Sequence, residues 1–211
     1  MYKVKELFYT LQGEGGQAGR AAVFLRFTGC NLWSGREEDR SDAICKFCDT
    51  DFRGTDGLNG GRYSKTELAD KVAELWPDLS QGKPYVVCTG GEPLLQLDEA
   101  LVTALHARGI EVAVETNGTI AAPSGIDWIC VSPKANAKMI QTSGHELKLV
   151  YPQVEESAQP EPFADLDFEH FFLQPLDGPE TALNTQRCID YCLANPQWRI
   201  SLQTHKIMDI P

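Results

Sequence analysis

Strand-like and helix-like segments alternate along this chain, and that alternation limits its fold more than any other feature. Short apolar runs predict strands at residues 4–10, 21–27, 85–88, 111–115, 128–131, 146–151, 171–173 and 199–204. Amphipathic stretches predict helices at residues 64–76, 97–108 and 180–193. Such alternation is typical of βα units around a parallel sheet. There are too few units for a complete eightfold barrel, so we expect an α/β fold. It should be a partial, open βα barrel with about six core parallel strands and three helices.

Polar or glycine residues follow six of the predicted strands. These residues are Cys30, 89–92, Thr116 and Asn117, 132–134, Gln174 and Pro175, and His205. The carboxyl ends of parallel barrel strands meet at one face, where the chemistry of such folds gathers. The pattern therefore indicates an active site, before any motif is considered. By contrast, residues 153–166 are acidic and rich in proline, and we expect a surface excursion there.

Three cysteines, Cys30, Cys45 and Cys48, surround a loop with six charged residues between positions 36 and 42. Spacing alone leaves three interpretations open. Structural zinc usually takes four protein ligands, so three cysteines would be an incomplete set. An iron–sulfur cluster held by three cysteines keeps one iron open for a substrate or cofactor. The cysteines could also be unligated. The other four, at positions 88, 130, 188 and 192, are typical of ordinary buried or helical thiols.

Composition excludes several classes of protein. The net charge of −11 argues against general binding to nucleic acid or an anionic membrane, which needs a basic face. No apolar run reaches the ~18 residues of a membrane-spanning helix, and the first residues lack the apolar core of a signal peptide. Seven cysteines, an odd number, do not suggest a secreted disulfide framework. We expect one cytoplasmic domain spanning residues 1–211.

Arg26 is the charged residue whose position in the sequence is most informative. It lies in a predicted strand among Phe24, Leu25 and Phe27, where an unpaired guanidinium would be costly. A carboxylate substrate could satisfy it through paired hydrogen bonds. The alternative is an internal salt bridge.

A series of short motifs then narrows the family. They are LQGEG (11–15), FLRF (24–27), GCNL (29–32), FCDT (47–50), TGGEP (89–93), ETNG (115–118), SPK (132–134), QP (174–175) and QTHK (203–206). In this order, they resemble the 7-carboxy-7-deazaguanine synthases, a family of the radical S-adenosylmethionine (SAM) superfamily. The superfamily usually has C-x3-C-x2-C, whereas this chain has C-x14-C-x2-C, with Ser34 at the second position. We interpret residues 34–44 as an insertion that moves one ligand and keeps the cluster.

The resemblance implies a barrel of the radical SAM type and a reaction. Enzymes of this family convert 6-carboxy-5,6,7,8-tetrahydropterin to 7-carboxy-7-deazaguanine with loss of ammonia, for 7-deazapurine and queuosine synthesis. A [4Fe–4S] cluster reduces SAM to give a 5′-deoxyadenosyl radical, which takes a hydrogen from the pterin. SAM is regenerated afterwards, and Mg²⁺ assists the rearrangement.

The resemblance also implies roles for individual residues. Metal ligands would be Cys30, Cys45 and Cys48 for the cluster and Thr50 for Mg²⁺. Thr50 could instead be a turn cap. Pterin contacts would be Leu11, Gln12, Gly13, Arg26, Thr89, His205 and Pro211, with Glu14 and Arg26 as catalytic candidates. SAM contacts would be Gly90, Gly91, Glu92, Glu115, Asn117, Ser132, Pro133, Lys134, Phe172, Leu173, Gln174 and Pro175.

The last segment of the chain gives a further expectation. The strand predicted at 199–204 should deliver His205 to the mouth of the barrel, and the tail should fold back so that the Pro211 carboxylate meets the pterin. The alternative is a frayed tail.

As partners we expect an electron donor such as flavodoxin and a second copy in a homodimer, with neither nucleic acid nor membrane. Two rival functions remain: a zinc-binding interaction module, and another radical SAM enzyme such as a glycyl-radical activase.

Overall fold

The computed structural model describes residues 1–78 and 80–211. Its strands are β1 Tyr2–Leu11, β2 Ala21–Phe27, β3 Gly61–Tyr63, β4 Tyr85–Gly90, β5 Glu111–Thr116, β6 Trp128–Val131, β7 Ser143–Tyr151, β8 Asp167–Pro175 and β9 Trp198–Ile200. Its α-helices are α1 Lys65–Leu75, α2 Glu99–His106, α3 Thr181–Ala194 and α4 Thr204–Met208. All these strands join one sheet in the order β3-β1-β2-β4-β5-β6-β7-β8-β9.

Seven of the strands are parallel, which confirms the open βα barrel. Every pairing from β2 through β4 to β9 is parallel. β1 extends this sheet antiparallel to β2 and carries the short strand β3, which the sequence did not indicate. The central strands β4 and β5 are almost continuously apolar because both of their faces are buried. The parallel strands therefore number one more than the expected six.

The three long helices form close to the predicted positions, and capping residues fix where the first two begin. Ser64 and Glu67 make a reciprocal capping box at the start of α1. The side chain of Asp98 accepts a hydrogen bond from the backbone of Leu101, so α2 begins two residues later than predicted. Buried side chains of α1 and α2, including Leu68 and Leu105, pack against the outer face of the sheet.

The predicted last strand, residues 199–204, is wrong in its second half. β9 ends at Ile200, and helix α4 begins at Thr204. The cause is a contact with a distant part of the chain: the backbone N–H and the Oγ1 of Thr204 both donate to the carbonyl oxygen of Gly13, each at 2.9 Å. That carbonyl draws the chain away from the path of the strand. His205 therefore lies on a short helix, not at a strand end.

The segment predicted as a surface excursion, residues 153–166, is partly buried. It contains two 3-10 turns, Glu156–Ala158 and Glu161–Phe163. Ala158 is 1% exposed, and Phe163 joins the apolar core beneath β7 and β8. In the sequence, the acidic residues around Ala158 and Phe163 hid the fact that these two side chains pack inside the protein.

Across the residues that the structure describes, no helix is both long and apolar enough to cross a membrane.

Candidate active site

Two cavities open at the carboxyl ends of the parallel strands. The first, here called the substrate cavity, has a volume of about 370 Å³. All the residues expected to contact the pterin line it: Leu11, Gln12, Gly13, Glu14, Arg26, Thr89, His205 and Pro211. This size is in the range of small-molecule sites. The structure thus brings together residues from both ends of the chain.

The second cavity, here called the cofactor cavity, has a volume of about 290 Å³. Predicted residues in its lining are Cys45, Cys48, Gly90, Gly91, Glu115, Asn117, Ser132, Lys134, Gln174 and Pro175. Its polar wall includes Lys134, whose ammonium donates to the Oγ of Ser132 at 2.7 Å and to the carbonyl of Ser132 at 2.6 Å. A cation held in this way can meet an anionic group of a bound molecule.

The two cavities are neighbours with a common wall. Six residues line both of them: Glu14, Asp49, Thr50, Thr89, Glu115 and Gln203. A molecule in one cavity would therefore lie next to a molecule in the other. That arrangement suits a reaction in which one bound compound attacks another.

The three cysteines of the loop gather beside the cofactor cavity. Cys45 and Cys48 line it, while Cys30 lies just behind Gly91, where an added Cβ would come within 2.6 Å of the Cys30 Cβ. Only glycine at position 91 lets these two backbones approach so closely. Burial raises the pKa of the Cys30 and Cys45 thiols, and each of the three cysteines is free of disulfide bonds.

The number of these thiols fits a cluster better than a structural zinc ion. Structural zinc usually takes four protein ligands, and the loop supplies three. An iron–sulfur cluster can be held by three thiolates, which leaves one iron open. The donor set of three thiols therefore suits a cluster with one open iron.

Lys148 is buried where the two cavities meet, and it pairs with two carboxylates. Its Nζ lies 2.6 Å from Glu14 Oε2 and 2.8 Å from Glu115 Oε2. The Lys148 side chain is 4% exposed, and the two glutamate side chains are each 18% exposed. Gln12 Nε2 donates to Glu115 Oε1 at 3.0 Å. One ammonium thus holds two carboxylates of the wall that the cavities share.

The two carboxylates differ in how well they are stabilised. Burial opposes ionisation of Glu14, but the charge and hydrogen bond of Lys148, with a hydrogen bond from Gln203, lower its pKa to about 2. Gln174 also donates to Glu14 at 3.1 Å. Burial raises the pKa of Glu115, and Lys148 offsets that effect only in part. Glu14 is therefore the permanent anion, and Glu115 is the group closer to protonation.

Arg26 combines both interpretations drawn from its sequence position. Its Nε donates to Glu6 Oε1 at 2.7 Å, which is the internal salt bridge. Over the described part of the chain, its two terminal nitrogens have no hydrogen-bond acceptor. The side chain also lines the substrate cavity. Glu6 therefore orients the guanidinium and leaves its outer edge available for a carboxylate.

The last residues of the chain complete the wall of the substrate cavity. The Oγ1 of Thr10 donates to the Pro211 carbonyl oxygen at 3.2 Å. Lys206 Nζ lies 2.7 Å from Asp49 of the cysteine loop and 2.6 Å from Asp177 after β8. His205 packs against Gly13, where any Cβ would collide with its ring. The tail is thus tied to three separate elements.

Comparison with known proteins agrees with this geometry. Residues 40–144 match the radical SAM superfamily. A 7-carboxy-7-deazaguanine synthase from Caulobacter vibrioides is 64% identical over 211 residues, covering 100% of this chain and 99% of the relative. Another from Bradyrhizobium diazoefficiens is 67% identical over 210 residues, covering 99% of each chain. The chain belongs to the 7-carboxy-7-deazaguanine synthase family. The crystal structure of QueE from Escherichia coli matches with a TM-score of 0.73 and 26% identity, covering 95% of this chain and 93% of that one.

Within this synthase fold, four of the residues expected to contact SAM line neither cavity: Glu92, Pro133, Phe172 and Leu173. Glu92 is fully buried, and its carboxylate accepts from Leu94 N at 2.9 Å, Thr116 Oγ1 at 2.8 Å and Asn117 N at 2.8 Å. Glu92 therefore lies behind the wall of the cofactor cavity and holds the wall residues Thr116 and Asn117 in place. Leu173 belongs to the apolar core because its side chain points away from the barrel interior.

Several residues of the synthase site were not identified from the sequence. The most important are Lys148, Gln203, Lys206 and Asp177, each of which lines a cavity. Lys148 did carry a signal, because it stands between Leu147 and Leu149 in an apolar strand, as Arg26 does in its own strand. A lone charge in such a strand requires a buried partner. Lys206 and Asp177 gave no such signal, since both belong to exposed polar segments.

Proposed function

We propose that the protein is a radical SAM lyase that converts 6-carboxy-5,6,7,8-tetrahydropterin to 7-carboxy-7-deazaguanine with loss of ammonia. The observation that carries this proposal is the pair of adjacent cavities, one beside three free thiols and one lined by Arg26. Relatives with this activity in their name match the full length of the chain. The product would enter 7-deazapurine and queuosine biosynthesis.

Cys30, Cys45 and Cys48 would hold a [4Fe–4S] cluster, leaving its fourth iron for SAM. When bound, these groups supply one-electron reduction and a carbon radical. The chain itself binds and orients. Lys134 offers a cation to the cofactor carboxylate, and Gly90 and Gly91 let the backbone approach it closely.

In the substrate cavity, Arg26 would bind the pterin carboxylate through the nitrogens that Glu6 leaves free. Glu14, held ionised by Lys148, can accept hydrogen bonds from the polar N–H groups of the pterin ring. Leu11, Gln12, Gly13, Thr89 and His205 would form the remaining walls. Pro211 would contact the guanidine-like edge of the substrate through its main-chain oxygen.

Thr50 would be the protein ligand of a catalytic Mg²⁺. It lines both cavities, between Asp49 and Asp51 in the chain, beside the space where substrate oxygens would lie. Mg²⁺ prefers oxygen ligands and keeps several waters, so one hydroxyl with substrate oxygens is sufficient.

The domain and the wider setting of the enzyme also belong to the proposal. We take residues 1–211 as one radical SAM domain with an insertion at 34–44, since the nine strands among the described residues belong to a single sheet. A flavodoxin-type electron donor, a homodimer and a cytoplasmic location remain predictions from the sequence and its resemblance.

Anaerobic reconstitution with iron and sulfide, followed by turnover, tests the proposal. We expect brown protein that converts carboxytetrahydropterin in the presence of SAM, reductant and Mg²⁺. Colourless protein that retains zinc would favour the interaction module instead. Brown protein that cleaves SAM yet leaves the pterin unchanged would point to another radical SAM enzyme, such as a glycyl-radical activase.

A further inference from the structure

The insertion at residues 34–44 carries an arginine, Arg40, whose side chain contacts the turn of Cys45 and Cys48 that follows it. We propose that Arg40 is a positioning residue that clamps the turn holding Cys45 and Cys48; this inference rests on the proposed cluster site. Its Nη1 donates to the carbonyl oxygen of Lys46 at 2.8 Å and to that of Cys48 at 3.1 Å. A single guanidinium nitrogen therefore bridges two carbonyls within the C-x2-C turn.

The insertion holds the Arg40 side chain in a fixed place. Its central residues Glu37–Asp42 form a 3-10 helix, and Glu37 accepts from the Arg40 Nε at 2.7 and 2.9 Å. The guanidinium stacks 4.1 Å above the centre of the Trp33 ring. Trp33 is 8% exposed and packs edge-on against Phe52 at 5.6 Å. The ion pair with Glu37 on one side and the Trp33 ring on the other fix the direction in which the forked guanidinium group of Arg40 points.

The C-x2-C turn depends on this contact because it has little structure of its own. Residues 45–53 form neither helix nor strand. Among the residues that the structure describes, Arg40 is the one hydrogen-bond donor to the carbonyls of Lys46 and Cys48. Unpaired carbonyls in a loop that must hold two metal ligands would leave those ligands loosely placed. The insertion thus moves one cysteine far along the chain and also supplies the group that fixes its new position.

Arg40 also brings a positive charge close to the metal ligands. Its guanidinium donates to the carbonyl oxygens of Lys46 and Cys48 at 2.8 and 3.1 Å, so it lies beside the turn that carries both cysteines. A cluster with three thiolates carries excess negative charge, and a nearby cation favours its reduced, more negative state. Positioning and charge therefore come from one side chain.

The test compares Arg40→Gln and Arg40→Lys with Arg36→Gln, a matched control. Arg36 belongs to the same insertion, but its exposed side chain pairs only with Glu38 in the described structure. In the metal-free protein, hydrogen–deuterium exchange of the Ile44 and Cys45 amides, which donate to the Leu32 carbonyl at 3.1 and 3.5 Å, reports how often the segment that enters the turn opens. We expect Arg40→Gln to exchange roughly tenfold faster there, on the scale of one lost charge-assisted hydrogen bond. Arg36→Gln should match the wild type.

The reconstituted proteins give a second readout. Arg40→Gln should release iron to a chelator several-fold faster, and its cluster midpoint potential should move to more negative values. Arg40→Lys should keep the potential near that of the wild type but not the slow exchange, because a lysine cannot reproduce the fork. Exchange and iron release in Arg40→Gln equal to those in Arg36→Gln would overturn the proposal, as would full rescue of exchange by lysine. Wild-type protein that binds no cluster would refute the proposed function instead, and the exchange measurement would still judge the clamp.

Discussion

Replacing Lys148 by methionine should destabilise the protein strongly, because it leaves two carboxylates buried without their cation. The magnitude follows from Glu14, whose pKa falls from an ordinary 4.5 to about 2 in the folded protein, against the effect of burial. Each pKa unit corresponds to about 1.4 kcal/mol, so the stabilisation of that carboxylate amounts to about 3 kcal/mol. Breaking a buried ion pair by removing one partner typically costs about 3–5 kcal/mol. We therefore expect Lys148→Met to lose about 3 kcal/mol at neutral pH.

The loss should depend on pH in a defined direction. In the wild type, the pKa of Glu14 is lower when folded than when unfolded, so its contribution is fully present above about pH 4.5 and fades as the pH falls toward 2. In Lys148→Met, burial raises the pKa of both Glu14 and Glu115 above their unfolded values. The folded variant then binds more protons than the unfolded chain, and its stability falls as the pH rises. The difference between the two proteins should be largest near neutrality.

Urea unfolding at several pH values between 5 and 8 measures this difference under anaerobic conditions. With a slope of about 2 kcal/mol per molar urea, a loss of about 3 kcal/mol lowers the midpoint by roughly 1.5 M. Lys71→Met is the matched control, because Lys71 pairs with Glu74 on the surface of α1 at 3.2 Å. The reasoning fails if Lys148→Met keeps the wild-type midpoint, or if its loss is the same at every pH, which would indicate packing alone.

Three further predictions concern the proposed ligands and the chain end. Cys45→Ala should lose both iron and turnover, whereas Cys192→Ala should keep both; iron analysis that reverses this order refutes the ligand assignment. Thr50→Ala should need roughly tenfold more Mg²⁺ for half-maximal turnover while SAM binding is unchanged, and an unaltered Mg²⁺ response contradicts the metal role. A short extension after Pro211 should raise the KM for the pterin roughly tenfold without changing iron content. The same extension before Met1 should have no effect, and equal kinetics in both would exclude the tail from the site.

Much of the fold could be predicted because its signals are local. Periodicity located eight of the nine strands that the structure describes, all except the short β3, and the caps at Ser64 and Asp98 explain why α1 and α2 begin where they do. The end of the chain could not be predicted in this way. Residues 199–204 have strand character. However, Thr204 donates a hydrogen bond to the carbonyl of Gly13, nearly 200 positions away, and a helix begins there in place of the strand. A long-range hydrogen bond of that kind leaves no trace in local sequence.

In the candidate site, too, residues with a local sequence signal were predicted and residues that depend on a distant contact were not. Motifs and strand ends identified most residues that line the two cavities, because a parallel barrel brings those ends together. Residues that connect one element to another were missed. Gln203 donates to Glu14 across 189 positions, and Lys206 joins Asp49 to Asp177. Each of these is an ordinary polar residue until the partner is known.

The base of the two cavities, where Lys148 lies, and the rim of the substrate cavity, where Lys206 lies, are held by interactions of different strength. At the base, Lys148 is 4% exposed, and its two ion pairs are shielded from solvent. At the rim, Lys206 is 38% exposed and pairs with half-exposed aspartates, contacts that are typically worth only about 0.2–1 kcal/mol each. Salt at physiological strength weakens the rim further and hardly affects the base. A change at the base should therefore unsettle the whole fold, whereas a change at the rim should alter substrate binding while the barrel stays intact. This difference is why Lys148→Met is best judged by urea unfolding and an extension after Pro211 by KM.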